Sequence, residues 1–215
     1  MAESPLIFDP ECSDCPRLAR FRSEVHRRYP TYFAKPVPSF GPQRSPLLVV
    51  GLAPGMHGAN RTGRPFTGDY AGILLYATLH RFGFASQPGS DDPRDGLKLV
   101  GCRITNAVKC LPPENKPEPS EVRRCNRYLA AELAQVRPRA VLALGRVAHE
   151  ATLRALGLKP SAARFAHGAV HDLPTGARLF DSYHCSRYNT QTRRLTTAMF
   201  EKVVGDVARF LSKRG

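Results

Sequence analysis

The order of apolar segments predicts an α/β protein, a three-layer αβα sandwich with a central, mainly parallel four-stranded sheet. Three observations support this. Aliphatic runs of strand length recur along the chain, as in Leu47-Leu48-Val49-Val50 and Ala140-Val141-Leu142-Ala143-Leu144. Loops carrying Gly or Pro lead from these runs into segments of helical period. At 215 residues and 42% hydrophobic content, the chain suits one core and is short for two, so residues 1–215 are expected to form a single domain.

In chain order, Leu18, Phe21 and Val25 recur at helical spacing among basic residues, which predicts a helix over Arg17 to Arg28. A Pro-rich loop, Pro30 to Pro46, leads to a buried strand at Leu47 to Leu52 and a helix at Ala71 to Phe82. Cys102 to Val108 is the second strand and Ser120 to Val136 a helix with Ser120 as its cap. Ala140 to Leu144 is the third strand, ended by Gly145, and Val147 to Leu156 a short helix. Arg178 to Tyr183 is the fourth strand. Arg194 to Leu211 is an amphipathic helix with Leu195, Met199, Val203, Val207 and Phe210 near one stripe. Ligands of such folds bind beyond the carboxyl ends of the strands, where the Gly51–Gly55 loop, Asn106 and His184 fall.

Lys plus Arg number 32 against 18 Asp plus Glu, a formal charge of +14, and this field favours a polyanion such as nucleic acid over a neutral metabolite. A solvated Arg-rich surface explains the same composition, so charge opens the question without answering it. No apolar run reaches the roughly 20 residues of a membrane span. Met1 to Phe8 shows no basic segment leading into a long apolar one. The expectation is a cytoplasmic, nucleoid-associated monomer with no membrane contact.

Six cysteines in such a chain read as ligands or buried thiols. Cys12 and Cys15 form a C-x-x-C pair, Cys110 follows the second strand, and Cys125 lies in the next helix beyond a Pro-rich loop. Four thiolates suit zinc or a [4Fe–4S] cluster. The lack of a second tight pair favours the cluster, with zinc as the alternative. Cys102, inside a strand, reads as core.

Residues Gly51 to Asp69, GLAPGMHGANRTGRPFTGD, form the most informative segment. Its glycines permit tight turns and close backbone approach, and a carboxylate, an amide and an imidazole crowd together. It contains neither G-K-[ST] nor G-x-G-x-x-G, so it is not a nucleotide-binding loop of either kind. The segment resembles the first motif of the family 5 (b-type) uracil-DNA glycosylases. A second stretch, His184-Cys185-Ser186-Arg187-Tyr188-Asn189 through Thr196, stands where that family carries H-P-S-P-L-N and a T-G-R-L-T-like run. With the four cysteines and the strand Ile104 to Cys110, the similarity spans Cys12 to about Thr196.

The resemblance implies a DNA-repair enzyme that extrudes a deaminated nucleotide and hydrolyses its N-glycosidic bond, with uracil as the base and hypoxanthine a further possibility. By the same resemblance, Gly51, Ala53, Gly55, Phe66 and Asn106 hold the base, Phe66 by stacking and Asn106 by reading its edge. Asp69 positions the attacking water, with Asn60 as the alternative polar partner. His184 donates to the base oxygen that gathers charge. Cys12, Cys15, Cys110 and Cys125 hold the cluster, whose role is to tether the N-terminus and the loop from Leu111 to Pro119 to the sheet. Each residue also has an ordinary structural role open to it: core packing for Phe66, a turn for Asn106, a helix cap for Asp69. The chain departs from the family at Gly55, where alanine is frequent, and at Cys185, Arg187 and Tyr188, which replace P, P and L. Tyr188 then takes the place of the wedge that fills the vacated base stack, with Arg187 and Arg193 facing phosphates.

Three rival readings are weaker. A redox protein needs a second cofactor site or a docking surface, and the sequence shows neither. A DNA-binding module without catalysis, with or without the iron–sulfur cluster, leaves the combination of Asp69, Asn106, Phe66 and His184 without a purpose. A relative that links covalently to DNA through a histidine carries a K-R-R-I-H insertion that is missing here.

Overall fold

Five strands form one sheet in the computed structural model, which describes residues 8–213: β1 (Leu47–Gly51), β2 (Cys102–Asn106), β3 (Ala140–Leu144), β4 (Val170–Asp172) and β5 (Arg178–Ser182). Their order is β2-β1-β3-β5-β4. The first four in that order run parallel, with Leu47 beside both Cys102 and Ala140, and Ala140 beside Arg178. Strand β4 is antiparallel to β5 and closes one edge. The sequence reading missed it because three residues, two of them exposed, carry no periodic signal. Met1 to Ile7, part of the stretch read above for a leader, lie outside the described residues.

Inside the parallel strands every residue is buried apart from Arg178, and alternate side chains serve opposite faces. Leu47, Val49, Ile104, Leu142 and Phe180 pack with Leu75 and Leu79 of α3 (Tyr70–Arg81) and with Phe200, Val203 and Val207 of α7 (Thr197–Ser212). On the other face, Leu48, Val50, Val141, Ala143 and Leu179 meet Leu129 and Leu133 of α4 (Pro119–Val136) and Ala148 and Ala151 of α5 (Arg146–Ala155). This gives the three layers predicted. Each buried Leu or Val side chain contributes about 1.5–3 kcal/mol.

Helix α1 (Pro16–Arg28) starts directly after Cys15 and sends Leu18 into a third small cluster with Val108, Cys110, Cys125 and Tyr128. The sequence reading placed the cap of α4 at Ser120. The helix instead starts one residue earlier, behind Glu118, whose backbone N–H donates to the Glu121 carboxylate at 2.7 Å. Helix α7 begins at Thr197, later than Arg194, because the Thr196 hydroxyl accepts from Met199 N at 3.2 Å. Helices α2 (Ala59–Thr62) and α6 (Arg187–Gln191) are too short to show a period. Among the described residues no helix is long and apolar enough to cross a membrane.

Candidate active site

The carboxyl ends of β1 and β2 and the segment after β5 open into a cleft of about 360 Å³. Ala53, Gly55, Phe66, Asp69, Asn106, His184 and Arg187 line it, so most of the residues named from the sequence meet in one place. Asn60 does not reach the wall. It sits fully buried on α2, and its neighbour Ala59 faces the cleft instead. Gly51 acts by absence of a side chain. A Cβ there would come within 2.6 Å of Phe66 Cζ and would overlap Asn106 Oδ1, because β1 and β2 place Gly51 beside Asn106.

Asn106 is 3% exposed, and its Oδ1 has no hydrogen-bond partner within the protein. A buried acceptor left unpaired costs about 1–3 kcal/mol, so this oxygen is set up for a donor that arrives with a ligand. Phe66 provides an aromatic wall, its ring 6.0 Å from the His184 ring and inclined by 30°. Its φ of +54° is a conformation that side chains other than glycine seldom adopt. The surroundings impose it. Gly72 lies against the Phe66 carbonyl with no room for a Cβ, and the Tyr76 hydroxyl donates to Pro65 O at 2.8 Å. Arg64 is fixed beside it by Thr67, Ser90 and Asp95, the last at 2.6 Å.

Asp69 caps α3, and its Oδ1 accepts from Gly72 N at 2.8 Å. Burial raises its pKa above the usual carboxylate value, against the lowering effect of the Gly72 and Ala71 amides. The other oxygen, Oδ2, lies near Gly55 and Gly58. A Cβ on Gly58 would stand 2.6 Å from Asp69 Cβ and 2.8 Å from Cγ, so the loop glycine makes room for the carboxylate. Desolvation pushes His184 down to about 4, which leaves a neutral imidazole with one N–H to donate at neutral pH. Its backbone is fixed by Asn189 Nδ2, which donates to His184 O at 2.8 Å. Tyr188 on α6 stands 70% exposed beside this opening, and Arg187 lies with its guanidinium 5.9 Å from the Tyr70 ring. Arg193, also exposed, takes a positive φ of 56° just beyond α6.

Tyr70, Asn115 and Ser186 line the cleft as well and were not read from the sequence. Tyr70 directly follows the motif and was open to recognition. Asn115 stands in the loop between Cys110 and Cys125, and nothing local marks it.

The four cysteines also come together. Cys12, Cys15, Cys110 and Cys125 line one cavity with Leu18, Arg22 and Arg124. No three of their sulfurs lie within 4.8 Å of one another. Burial pushes the thiol of Cys110 up to about 12 and that of Cys125 to about 11, so both are protonated unless a metal displaces the proton. Lys109 N donates to Cys125 Sγ at 3.3 Å, and Arg22 donates to Cys12 O at 2.9 Å. Cys102 and Cys185 are fully buried in the core on the α3–α7 face.

The uracil DNA glycosylase superfamily model matches residues 38–208. The chain is 50% identical over 204 residues to a type-5 uracil-DNA glycosylase of Thermus thermophilus, covering 92% of this chain and 93% of the relative. It is 45% identical to a type-5 uracil-DNA glycosylase of Mycobacterium bovis, over 89% of this chain and 75% of the relative. Identity to a type-4 uracil-DNA glycosylase of Archaeoglobus fulgidus is 28%, over 85% of each chain. With a family match across most of its length and these identities to type-5 enzymes, the chain belongs to the uracil DNA glycosylase superfamily and, within it, to the type-5 family.

Proposed function

We propose that the protein is a DNA-repair hydrolase that cleaves the N-glycosidic bond of uracil in DNA and leaves an abasic site. The unpaired Asn106 oxygen, facing the same cleft as Phe66, Asp69 and His184, carries this reading. Deamination converts the ring edge of cytosine or adenine into a C=O next to an N–H. A carboxamide matches that pair, its oxygen accepting from N–H and its nitrogen donating to C=O. Asn106 therefore reads uracil, and the same edge of hypoxanthine, while an undeaminated base presents the wrong groups.

The extruded base stacks on Phe66 between the Gly51, Ala53 and Gly55 loop and His184. As the bond to C1′ breaks, negative charge collects on the base oxygens, and the neutral His184 donates its N–H to one of them. Asp69 uses Oδ2 to orient water toward C1′ and takes up its proton, while Oδ1 remains tied to Gly72. Buried Asn60 ties down the loop that carries these groups through its backbone N–H, which donates to Gly55 O at 3.0 Å. Tyr188 enters the stack left by the flipped base, and Arg187 and Arg193 contact phosphates.

The cysteine set fits a [4Fe–4S] cluster better than zinc. Tetrahedral zinc with bonds of about 2.3 Å holds its sulfurs about 3.8 Å apart, and these sulfurs are spread more widely. Arg22 and Arg124 in the cavity wall balance the negative charge of such a thiolate-bound cluster. Cys12, Cys15, Cys110 and Cys125 would hold it, and it would supply a rigid link joining the start of α1, the loop after β2 and α4. A monomer working in the cytoplasm on nucleoid DNA completes the reading.

The test is cleavage of a labelled duplex carrying a single uracil, with alkali to break the abasic site, using wild type and Asp69→Asn. Uracil-dependent strand breaks that the variant abolishes, with DNA affinity retained, are expected. A wild type that binds the duplex but releases neither uracil nor hypoxanthine overturns the reading in favour of a DNA-binding module.

A further inference from the structure

Away from the base cleft and the cysteines, three more ligand-type side chains converge. They come from three elements: His149 on α5, His171 on β4 and Asp181 on β5. Among the described residues this is the one group of three or more His, Cys, Asp or Glu whose ligand atoms all lie within 4.8 Å of one another. His149 Nδ1 is 2.8 Å from Asp181 Oδ1, and His171 Nε2 is 3.1 Å from Asp181 Oδ2. His149 and Asp181 are buried, and the His171 side chain is 20% exposed.

The hydrogens of this group can be assigned. His149 Nε2 lies 3.0 Å from Ala163 O, a carbonyl that can only accept, so Nε2 carries the ring proton. In a neutral His149 the lone pair of Nδ1 then faces a carboxylate oxygen at 2.8 Å. Two buried acceptors hold that position only with a cation between them, either a second ring proton or a metal ion. A proton on His149 and an Nε2–H donated by His171 to Asp181 Oδ2 satisfy these contacts one at a time, whereas a metal ion takes all three groups as ligands at once. A ligating histidine also characteristically turns its free N–H to a backbone carbonyl, as His149 does to Ala163.

We propose that His149, His171 and Asp181 form a site for a divalent cation of the zinc type, whose preferred ligands are imidazole and carboxylate. The site shares no residue with the base cleft or the cysteine cavity. His149, Ala163, Phe165 and Ala166 also line a surface cleft of about 790 Å³, which gives the ion a path. Of the three arginines in that wall, Arg146 is paired with Glu150 at 2.6 Å, and Arg164 and Arg194 keep the mouth of the path positive. A bound ion ties the three-residue edge strand β4 to α5.

The experiment uses the protein as purified, with its cysteine site loaded and loosely held metal removed by brief chelation. Zinc chloride is titrated calorimetrically, bound zinc is counted, and the zinc K-edge absorption spectrum is recorded. Saturable uptake of a single zinc is expected, with nitrogen and oxygen neighbours at about 2.0–2.2 Å and no sulfur at about 2.3 Å. His171→Ala, at a partly exposed ring, abolishes that uptake with an unchanged circular dichroism spectrum. No saturable uptake means that a proton alone fills the gap, and the proposal fails. Sulfur neighbours place the zinc at the cysteines, and it fails equally. If His171→Ala does not fold, the wild-type absorption spectrum decides.

Discussion

Gly58→Ala tests the proposed placement of Asp69 without touching any group assigned to chemistry. The added Cβ falls 2.6 Å from Asp69 Cβ, short of ordinary contact at 3.4 Å by about 0.8 Å. The carboxylate must swing away by roughly that amount, and its Oδ1 bond to Gly72 N weakens as it goes. Loss of the cap costs about 1 kcal/mol of stability. Misplacing a catalytic group by about 1 Å costs on the order of 10²-fold in rate, equivalent to about 2.7 kcal/mol of barrier. Single-turnover release of uracil from a duplex, with enzyme in excess, measures this free of product release. Gly89→Ala, outside the cleft, is the control, because its Cβ lies 3.9 Å from its nearest neighbour, Asp91 Oδ2, an ordinary contact. The expected result is an approximately hundredfold loss for Gly58→Ala and little change for Gly89→Ala. A Gly58→Ala rate within about threefold of wild type refutes the reasoning, because the carboxylate would then be free to move without consequence.

Two further predictions concern stability and duplex opening. Burial alone would raise the Glu132 pKa, but Lys109, Ser39, Arg103 and Thr105 reverse this and hold it at about 2. Glu132→Gln leaves Lys109 and Arg103 buried without their partner and should cost about 3–5 kcal/mol, roughly 6–20 °C in Tm. The folded pKa lies below the ordinary value of 4.5, so this contribution is complete above pH 4.5 and is lost as pH falls toward about 2. A variant whose stability deficit persists unchanged into that acid range contradicts the assignment. Tyr188→Ala removes a stacking surface worth about 1–3 kcal/mol and should slow uracil release from duplex roughly 5- to 100-fold, with single-stranded substrate much less affected. Equal losses on both substrates would remove Tyr188 from the role of wedge.

The parts of this structure that were legible in sequence are those governed by local pattern. The runs Leu47–Val50 and Ala140–Leu144 gave the parallel strands because buried strands are continuously aliphatic. The Gly51 to Asp69 segment showed the site because its glycines serve close approach, now visible at Gly51 and Gly58. What stayed hidden depends on partners distant in the chain. Nothing local marks Lys109 as buried, yet it is 2% exposed because Glu132 neutralises it from α4. Asn115 lines the cleft through the path of its loop, and His149, His171 and Asp181 meet across three elements with no common motif.

The forced conformation of Phe66 has a thermodynamic side. Gly72, Tyr76 and the Arg64 network settle the backbone from which the ring projects, and Gly51 lies against the ring itself, before any DNA arrives. A base entering the cleft meets a surface with little remaining freedom, so the ordering entropy of association falls mainly on the nucleotide. Selectivity at this wall then follows the shape and stacking of the incoming base, since the ring does not adapt itself to poor fits. A rigid platform also acts alike in every encounter, which suits a protein that must test and release a great many correct bases for each damaged one.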